Sequence, residues 1–488
     1  MMRRLSGGAF WVLLAALVIA NAVLCWQSLT TFRLWEDEAF NLTVPRNLLG
    51  GLGYTSDGAL SGSTLTPFDP RISTGASVLL PVALVLATGI DPVIGARLIP
   101  LLYWGLLLAG LWILGRRIAG RWGALVAIAV PLAFQTAASN SPIQGPADLL
   151  GEIPAAALLV WAFIVLPRRA WLAGLLFGLA LQAKLIALIA LPAFAVALWA
   201  LTPGRGWKRI GATATRSILP LVLAGLPTLL MEIAAFVILG PAAYLTHLRE
   251  LASFVRSSGQ NVAPTTIPEK VTVLADSWFS SPWLVLAAVL LGLAVGAVAC
   301  TRSWRTWRTT GAKPAAEDLA LGLAAVVGFL AFVGWWAQAA HTPLWVRHPA
   351  PGVFSFAPLL AAFTVRGMQF LWKGSLPLRA LSAATATALI AVLGIGSAAH
   401  TVSALNPGWE TLHTQRAAAA PLAAWVDDYR VTWLAAAPWG AAVPIIVLTG
   451  AHVGMFDAPA MQGVPQVTGG ECSNEALADS GTYRICRP

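Results

Sequence analysis

The sequence predicts an all-α membrane protein that crosses a bilayer about eleven times, with a small α/β segment at its C-terminal end. Three observations predict it. Of 488 residues, 58% are hydrophobic and only 11% are charged, where a soluble domain carries roughly 25%. Apolar runs of roughly 18–24 residues recur, the length that spans ~30 Å of hydrocarbon as a helix. The runs do not alternate with period two, so they are helices and not barrel strands.

Charge placement orients these helices. The formal net charge is +10. The basic residues sit in short clusters between apolar runs: Arg3/Arg4, Arg116/Arg117/Arg121, Arg168/Arg169, Arg205/Lys208/Arg209/Arg216, Arg302/Arg305/Arg308/Lys313 and Arg366/Lys373/Arg379. That is the positive-inside pattern of a multi-pass protein, not a nucleic-acid surface. With every cluster in the cytoplasm, the N-terminus is expected inside and the C-terminus outside a bacterial plasma membrane.

Residues 10–30 form the first span. Arg3/Arg4 and Ala20-Asn21-Ala22 imitate a secretory signal, but the apolar run exceeds a typical h-region and more spans follow, so an uncleaved helix is expected. Residues 31–92 form the first extracytoplasmic loop. Gly50-Gly51-Leu52-Gly53-Tyr54 and Thr66-Pro67-Phe68-Asp69-Pro70-Arg71 mark turns in it. Its apolar stretch 75–90 is expected to lie in the interface, because a full crossing there would put Arg116–Arg121 outside. Further spans are expected at 93–115, 122–138, 151–166, 171–184, 185–202, 217–240, 281–300, 319–340, 349–365 and 380–403. The pair 171–184 and 185–202 is short for two crossings, which places Lys184 at a hairpin tip. Outer loops remain at 139–150, 241–280 and 341–348. A membrane domain 1–403 is thus expected to precede a small extracytoplasmic α/β domain, 404–488.

The stretch Trp35–Asn41, reading WEDEAFN, follows the first span directly. Three carboxylates at the exit of a membrane helix are costly beside lipid, so they are either solvated or functional. Apart from the basic clusters, the unusual polar residues in membrane-proximal positions fall on the same outer side. The acids are Asp37, Glu38, Asp148 and Glu152; the cations are Arg97, Lys184, Arg347 and His348. Such a set suits a reaction on a lipid-linked phosphate. Cations would hold the phosphate by charge-assisted hydrogen bonds and stabilise the charge it gains on leaving. A carboxylate would take a proton from an acceptor hydroxyl. The bland readings are a solvated Glu36, Arg97 and Lys184 snorkelling to headgroups, and Glu232, inside 217–240, pairing within the bundle. His341 and His348 lie seven apart with no ligand set beside them, so no metal is assigned, although a divalent ion at the acids stays open.

Here a resemblance enters. The acidic pair after the first membrane helix, then Gly51-Leu52-Gly53-Tyr54, ISTGASVLLP (72–81), GARLIP (95–100), GEIPAAALLVWAF (151–163), GLALQAKLIALIALPAF (178–194) and VRHPAPGVFSFAPL (346–359), in that order, resemble the GT-C glycosyltransferase superfamily. The branch is similar to the bacterial family 39-like enzymes, the aminoarabinose lipid A transferases and protein O-mannosyltransferases. The resemblance implies an inverting transfer of a sugar from a polyprenyl-phosphate donor to a lipid, glycan or protein acceptor on the extracytoplasmic face. It implies Asp37 as the catalytic base with Glu38 beside it. It implies Arg97 near the site, and Glu152 or Asp148 as a second acid. Lys184 and Arg347, with His348, are implied at the donor phosphate. The β-trefoil domain of many O-mannosyltransferases has no counterpart of its size in the sequence.

Two rival readings are a flippase or transporter of lipid-linked sugars, which wants ionisable groups at mid-membrane depth, and an O-antigen-type polymerase, which should lack the acidic pair. Of the cysteines, Cys25 and Cys300 lie in apolar helices. Cys472 and Cys486 lie in the outer tail, where disulfides persist, and are expected to be bridged.

Overall fold

The computed structural model describes residues 2–57, 66–67, 74–136, 142–256, 263–310 and 312–488. Part of the turn expected at 66–71 therefore lies outside the described residues. In chain order the elements are α1 (Met2–Thr30), α2 (Glu36–Leu49), the antiparallel pair β1 (Thr55–Ser56) and β2 (Thr66–Pro67), α3 (Ala76–Leu86), α4 (Pro92–Ala133), α5 (Glu152–Val165), α6 (Ala170–Ala183) and a 3-10 segment (Leu185–Ala190). Next come α7 (Leu191–Leu201), α8 (Gly206–Arg256), α9 (Ile267–Asp276), α10 (Pro282–Thr310), α11 (Lys313–Gln338), α12 (Ala350–Leu371) and α13 (Leu376–Leu405). The chain ends with α14 (Leu412–Tyr429), β3 (Trp433–Ala436), α15 (Ala442–Thr449), β4 (His452–Met455), β5 (Gln466–Thr468), β6 (Ala476–Asp479) and β7 (Arg484–Cys486).

Among the described residues, 7 helices are long and apolar enough to cross a membrane: α1, α4, α8, α10, α11, α12 and α13. α4 runs 42 residues, about 63 Å at ~1.5 Å per residue, roughly two bilayer cores. It is two helices. Helical geometry fails at Ala119 (φ −138°) and Gly120 (φ 67°), the latter a conformation that glycine adopts at no steric cost. The break falls inside Arg116–Arg121, where the charge pattern calls for a cytoplasmic turn. With α4 divided and the shorter apolar helices Glu152–Val165, Ala170–Ala183 and Leu185–Leu201 added, the helical segments fall where the sequence places its spans. α3, 11 residues long, is too short to cross.

The chain forms two compact units. The first gathers Met1–Val23, Tyr103–Gln144 and Glu152–Ser403. It is a helical bundle whose members approach through small residues, as membrane helices do. A Cβ on Gly174 or Gly178 of α6 would strike the α8 backbone at Pro220 or Ala224. Charge pairs tie the first turns of α11 to its neighbours: Glu317 to Arg117 of α4, and Asp318 to Arg366 of α12 at 2.7 Å.

The second unit gathers Leu24–Leu102, Gly145–Gly151 and Ala404–Pro488. It holds a five-stranded mixed sheet in the order β4-β3-β5-β7-β6. β3 pairs parallel with β4 and β5, while β7 runs antiparallel between β5 and β6. The apolar helix α15 makes the crossover between parallel strands that such a pair requires. α2 is fastened to this segment. Arg46 donates to Val447 O (2.6 Å) and Gly450 O (2.9 Å), satisfying carbonyls at the end of α15. Asp57 accepts from Asn47 (2.9 Å), His452 Nδ1 (3.0 Å) and the Val453 amide (2.9 Å). Gln415 of α14 holds both polar groups of the Leu34 backbone: it accepts from N–H at 2.7 Å and donates to C=O at 2.8 Å. Cys472 and Cys486 are disulfide-bonded, with Cα atoms 5.5 Å apart.

Candidate active site

The acidic stretch forms the start of α2. Trp35 is the N-cap, extended at φ −113° and ψ 172° and without a side-chain cap bond. Glu36, Asp37 and Glu38 therefore occupy the first turn, where negative charge complements the helix dipole. Successive helical residues point about 100° apart, so the three acids diverge. Glu36 meets Arg33 at 3.3 Å, and Arg33 also reaches Glu410 at 3.2 Å. Glu38 turns inward and is 1% exposed. Asp37 takes the third direction and is partly exposed.

Arg97, fully buried at the start of α4, belongs to Glu38. Its Nε and Nη2 donate to the two carboxylate oxygens at 2.7 Å each. Nη1 donates to Phe32 O (2.9 Å) and Leu29 O (3.4 Å), and Nη2 to Arg33 O (2.9 Å). A guanidinium has five N–H donors, and all five are occupied. This corrects two expectations. Arg97 has no donor left for a phosphate, and Glu38 is its counter-ion and not a second base. The pair ties the end of α1 to the start of α2.

Asp148 lies in the same unit. It sits, 2% exposed, in the 145–151 segment, which docks on α1 and α2. The Ala147 amide donates to Ser28 Oγ at 2.9 Å, and Asn41, one turn after Asp37, donates to Leu149 O at 2.7 Å and Thr74 Oγ1 at 3.0 Å. Asp148 and Asp91 add to the negative field that Arg97 feels.

The remaining predicted residues fall in the first unit. Glu152 opens α5 and is 1% exposed; Lys184 Nζ lies 3.2 Å from its Oε1. Neither Glu152 oxygen accepts a hydrogen bond. The contrast with Glu38 is chemical: one carboxylate is saturated, the other is held only by charge. Lys184 stands where α6 gives way to the 3-10 segment, with extended backbone (φ −158°, ψ 121°). Arg347 is buried, its guanidinium 5.0 Å from the Trp345 ring centroid.

His348 differs from expectation. Burial, then the charges of Arg347, Lys184 and Lys270, push its pKa from 6.5 down to about 3. The imidazole is neutral near pH 7 and is no cation for a phosphate. The charges responsible include one that the sequence pattern did not mark: Lys270 converges with Lys184 and Arg347 on one region, with the under-satisfied Glu152 beside Lys184. Lys270 itself is fully buried and spends its three N–H donors on Trp336 O (2.6 Å), Ala339 O (2.7 Å) and Thr342 Oγ1 (2.8 Å). It caps α11 and pins the turn that leads to Arg347. Thr265 reinforces it by donating to Thr342 O at 3.0 Å. The available sequence signal was the capping box Thr266/Glu269, which starts α9 and sets the position of Lys270.

Glu232 accepts from Tyr244 Oη at 2.6 Å. Among the described residues no group of three His, Cys, Asp or Glu side chains could hold a metal ion. A cavity of about 390 Å³ between α6, α7 and α8, lined by residues such as Phe177, Phe194 and Leu221, carries none of the ionisable residues above.

No protein-family model matches the chain, and no curated protein matches it. Solved structures do. ArnT from Cupriavidus metallidurans in the apo state aligns at a TM-score of 0.58 and 11% identity, over 98% of each chain. ArnT from the same organism bound to undecaprenyl phosphate aligns at 0.54 and 11% identity, over 94% of this chain and 90% of that one. The likeness is one of fold: this chain shares the architecture of those ArnT structures, a bundle of long apolar helices with a small C-terminal sheet.

Proposed function

We propose that this chain is a glycosyltransferase that moves a sugar from a polyprenyl-phosphate carrier to an acceptor hydroxyl or amine on the extracytoplasmic membrane face. One observation carries the reading: in a GT-C fold, Lys184 and Arg347 stand with the under-satisfied Glu152, an arrangement suited to a bound phosphate. The structural neighbour ArnT has been solved with undecaprenyl phosphate.

In this reading the acceptor oxygen or nitrogen attacks the anomeric carbon as the bond from that carbon to the phosphate oxygen breaks. The bonding pair leaves with the phosphate, and a single displacement inverts the configuration. Asp37 takes the acceptor's proton. Lys184 and Arg347 stabilise the charge gathering on the leaving phosphate. Glu152 keeps Lys184 in place before the donor arrives. Glu38 and Arg97 hold the first turn of α2, and with it Asp37, in a fixed direction.

The test is sugar transfer by purified protein in nanodiscs, from a panel of radiolabelled polyprenyl-phosphate sugars into lipid, glycan and protein fractions. Label should move from at least one carrier to an acceptor and be lost in Lys184→Ala and Arg347→Ala. Sugar that crosses the bilayer of a proteoliposome while still attached to its carrier, with no transfer, would replace this reading by a flippase.

A further inference from the structure

Trp439 stands where a turn asks for glycine. After β3 the chain reverses through Ala437-Pro438-Trp439-Gly440, closed by the Gly440 amide donating to Ala437 O at 2.9 Å. Proline second and a left-handed residue third is the pattern of a type II turn, whose third position favours glycine or asparagine. Trp439 takes φ 54° there, a conformation in which a bulky L-residue is strained. Glycine would make the same turn without strain, so the turn does not explain the indole. Burial does not explain it either, because Trp439 is 44% exposed. It leans on Phe40 of α2, ring centroids 5.0 Å apart and planes at 61°, an edge-to-face contact that covers at most one face of the indole. Phe40 itself is buried, and it follows Asp37 by three residues, one turn along the same helix.

A strained, half-exposed aromatic is thus anchored one helical turn from the acid assigned as base. We infer that Trp439 is a stacking platform for a sugar ring, holding it beside Asp37. The inference rests on the glycosyltransferase reading for its choice of ligand. The indole face carries the negative lobe of its quadrupole. The C–H bonds on one face of a pyranose or furanose are apolar and polarised positive, so the two faces attract while the sugar hydroxyls keep their water. The donor sugar and an acceptor glycan share this chemistry.

The experiment uses full-length protein in nanodiscs, labelled with 5-fluorotryptophan. The ¹⁹F resonance missing from Trp439→Phe is assigned to Trp439 and followed during titration with methyl glycosides of pentoses, hexoses and amino sugars. It should shift with at least one of them. Trp439→Gly should melt at the same temperature or higher, since strain is relieved, and should raise KM about tenfold for the stacked substrate; Trp439→Phe should fall between. A rise confined to the donor or to the acceptor says which sugar is stacked. A resonance indifferent to every glycoside, or a lower melting temperature in Trp439→Gly, overturns the platform. If wild-type protein transfers no sugar yet the resonance responds, the transferase reading fails and the platform stands. If Trp439→Gly transfers sugar at wild-type KM for both substrates, the platform fails and the transferase reading stands.

Discussion

At the scale of single residues, a step of about 100° along a helix separates the roles of Asp37 and Glu38. Glu38→Gln should remove the counter-ion of a fully buried guanidinium and cost about 3–5 kcal/mol of stability. Asp37→Asn should lower turnover by about 10²–10⁴-fold, with a far smaller loss of stability than Glu38→Gln because only a first-turn charge is removed. Melting curves beside initial rates check both, and full activity in Asp37→Asn would move the base elsewhere. The triad was conspicuous in the sequence because three acids after a membrane helix are rare. Which acid was consumed was not legible, because its partner Arg97 lies 59 residues away and no local pattern encodes that contact. His348 shows the same limit, since its neutrality comes first from burial and then from the charges of Arg347, Lys184 and Lys270, the last two far away in the sequence. Its folded pKa of about 3 lies below the ordinary 6.5, so between those values the unfolded chain binds more protons than the native one. Stability should fall as pH drops through that window and be flat above it. Melting at about pH 7 and about pH 4 should show a smaller acid loss in His348→Gln than in wild type, and equal losses would contradict the assignment.

At the scale of elements, the spans were legible because length and apolarity are local properties. Even the break in α4 was marked, by the arginines around Gly120. The cap on α11 was not, because a lysine between two helices of the sequence looks solvated until its acceptors are known. Lys270→Met should take this donor from the Trp336 carbonyl, at a cost of about 1–3 kcal/mol when buried, while Ala339 O keeps the Thr342 amide (3.0 Å) and hydroxyl (2.7 Å). Amide exchange should then quicken in 339–348 while α5 and α6 keep their protection. Unchanged exchange there would mean that the bonds of Thr265 and Thr342 hold the turn without Lys270. The sheet order was equally hidden: the short strands β5 to β7 carry little periodicity, and their pairing is set by chain reversal and by the Cys472–Cys486 bridge.

At the scale of the whole molecule, we propose the orientation that the basic clusters and the disulfide both support, since positive charge stays in the cytoplasm and disulfides persist outside it. Reporter fusions at 118, 210 and 310 should read cytoplasmic and one after 420 extracytoplasmic; an outside signal at 118 would make 75–90 a crossing. The grip of Gln415 on Leu34 spans 381 positions, and that distance has a meaning for biogenesis. A ribosome adding roughly 5–20 residues per second needs about 20–80 s to cover it. In the proposed orientation the acid-bearing loop is, for that time, across the membrane without the segment that will fasten it. The first loop made is the last one finished. A chain released early, short of α14, would insert its helices and still lack the fastening at Leu34, so quality control has a simple feature to find: a loop open to proteases outside the membrane.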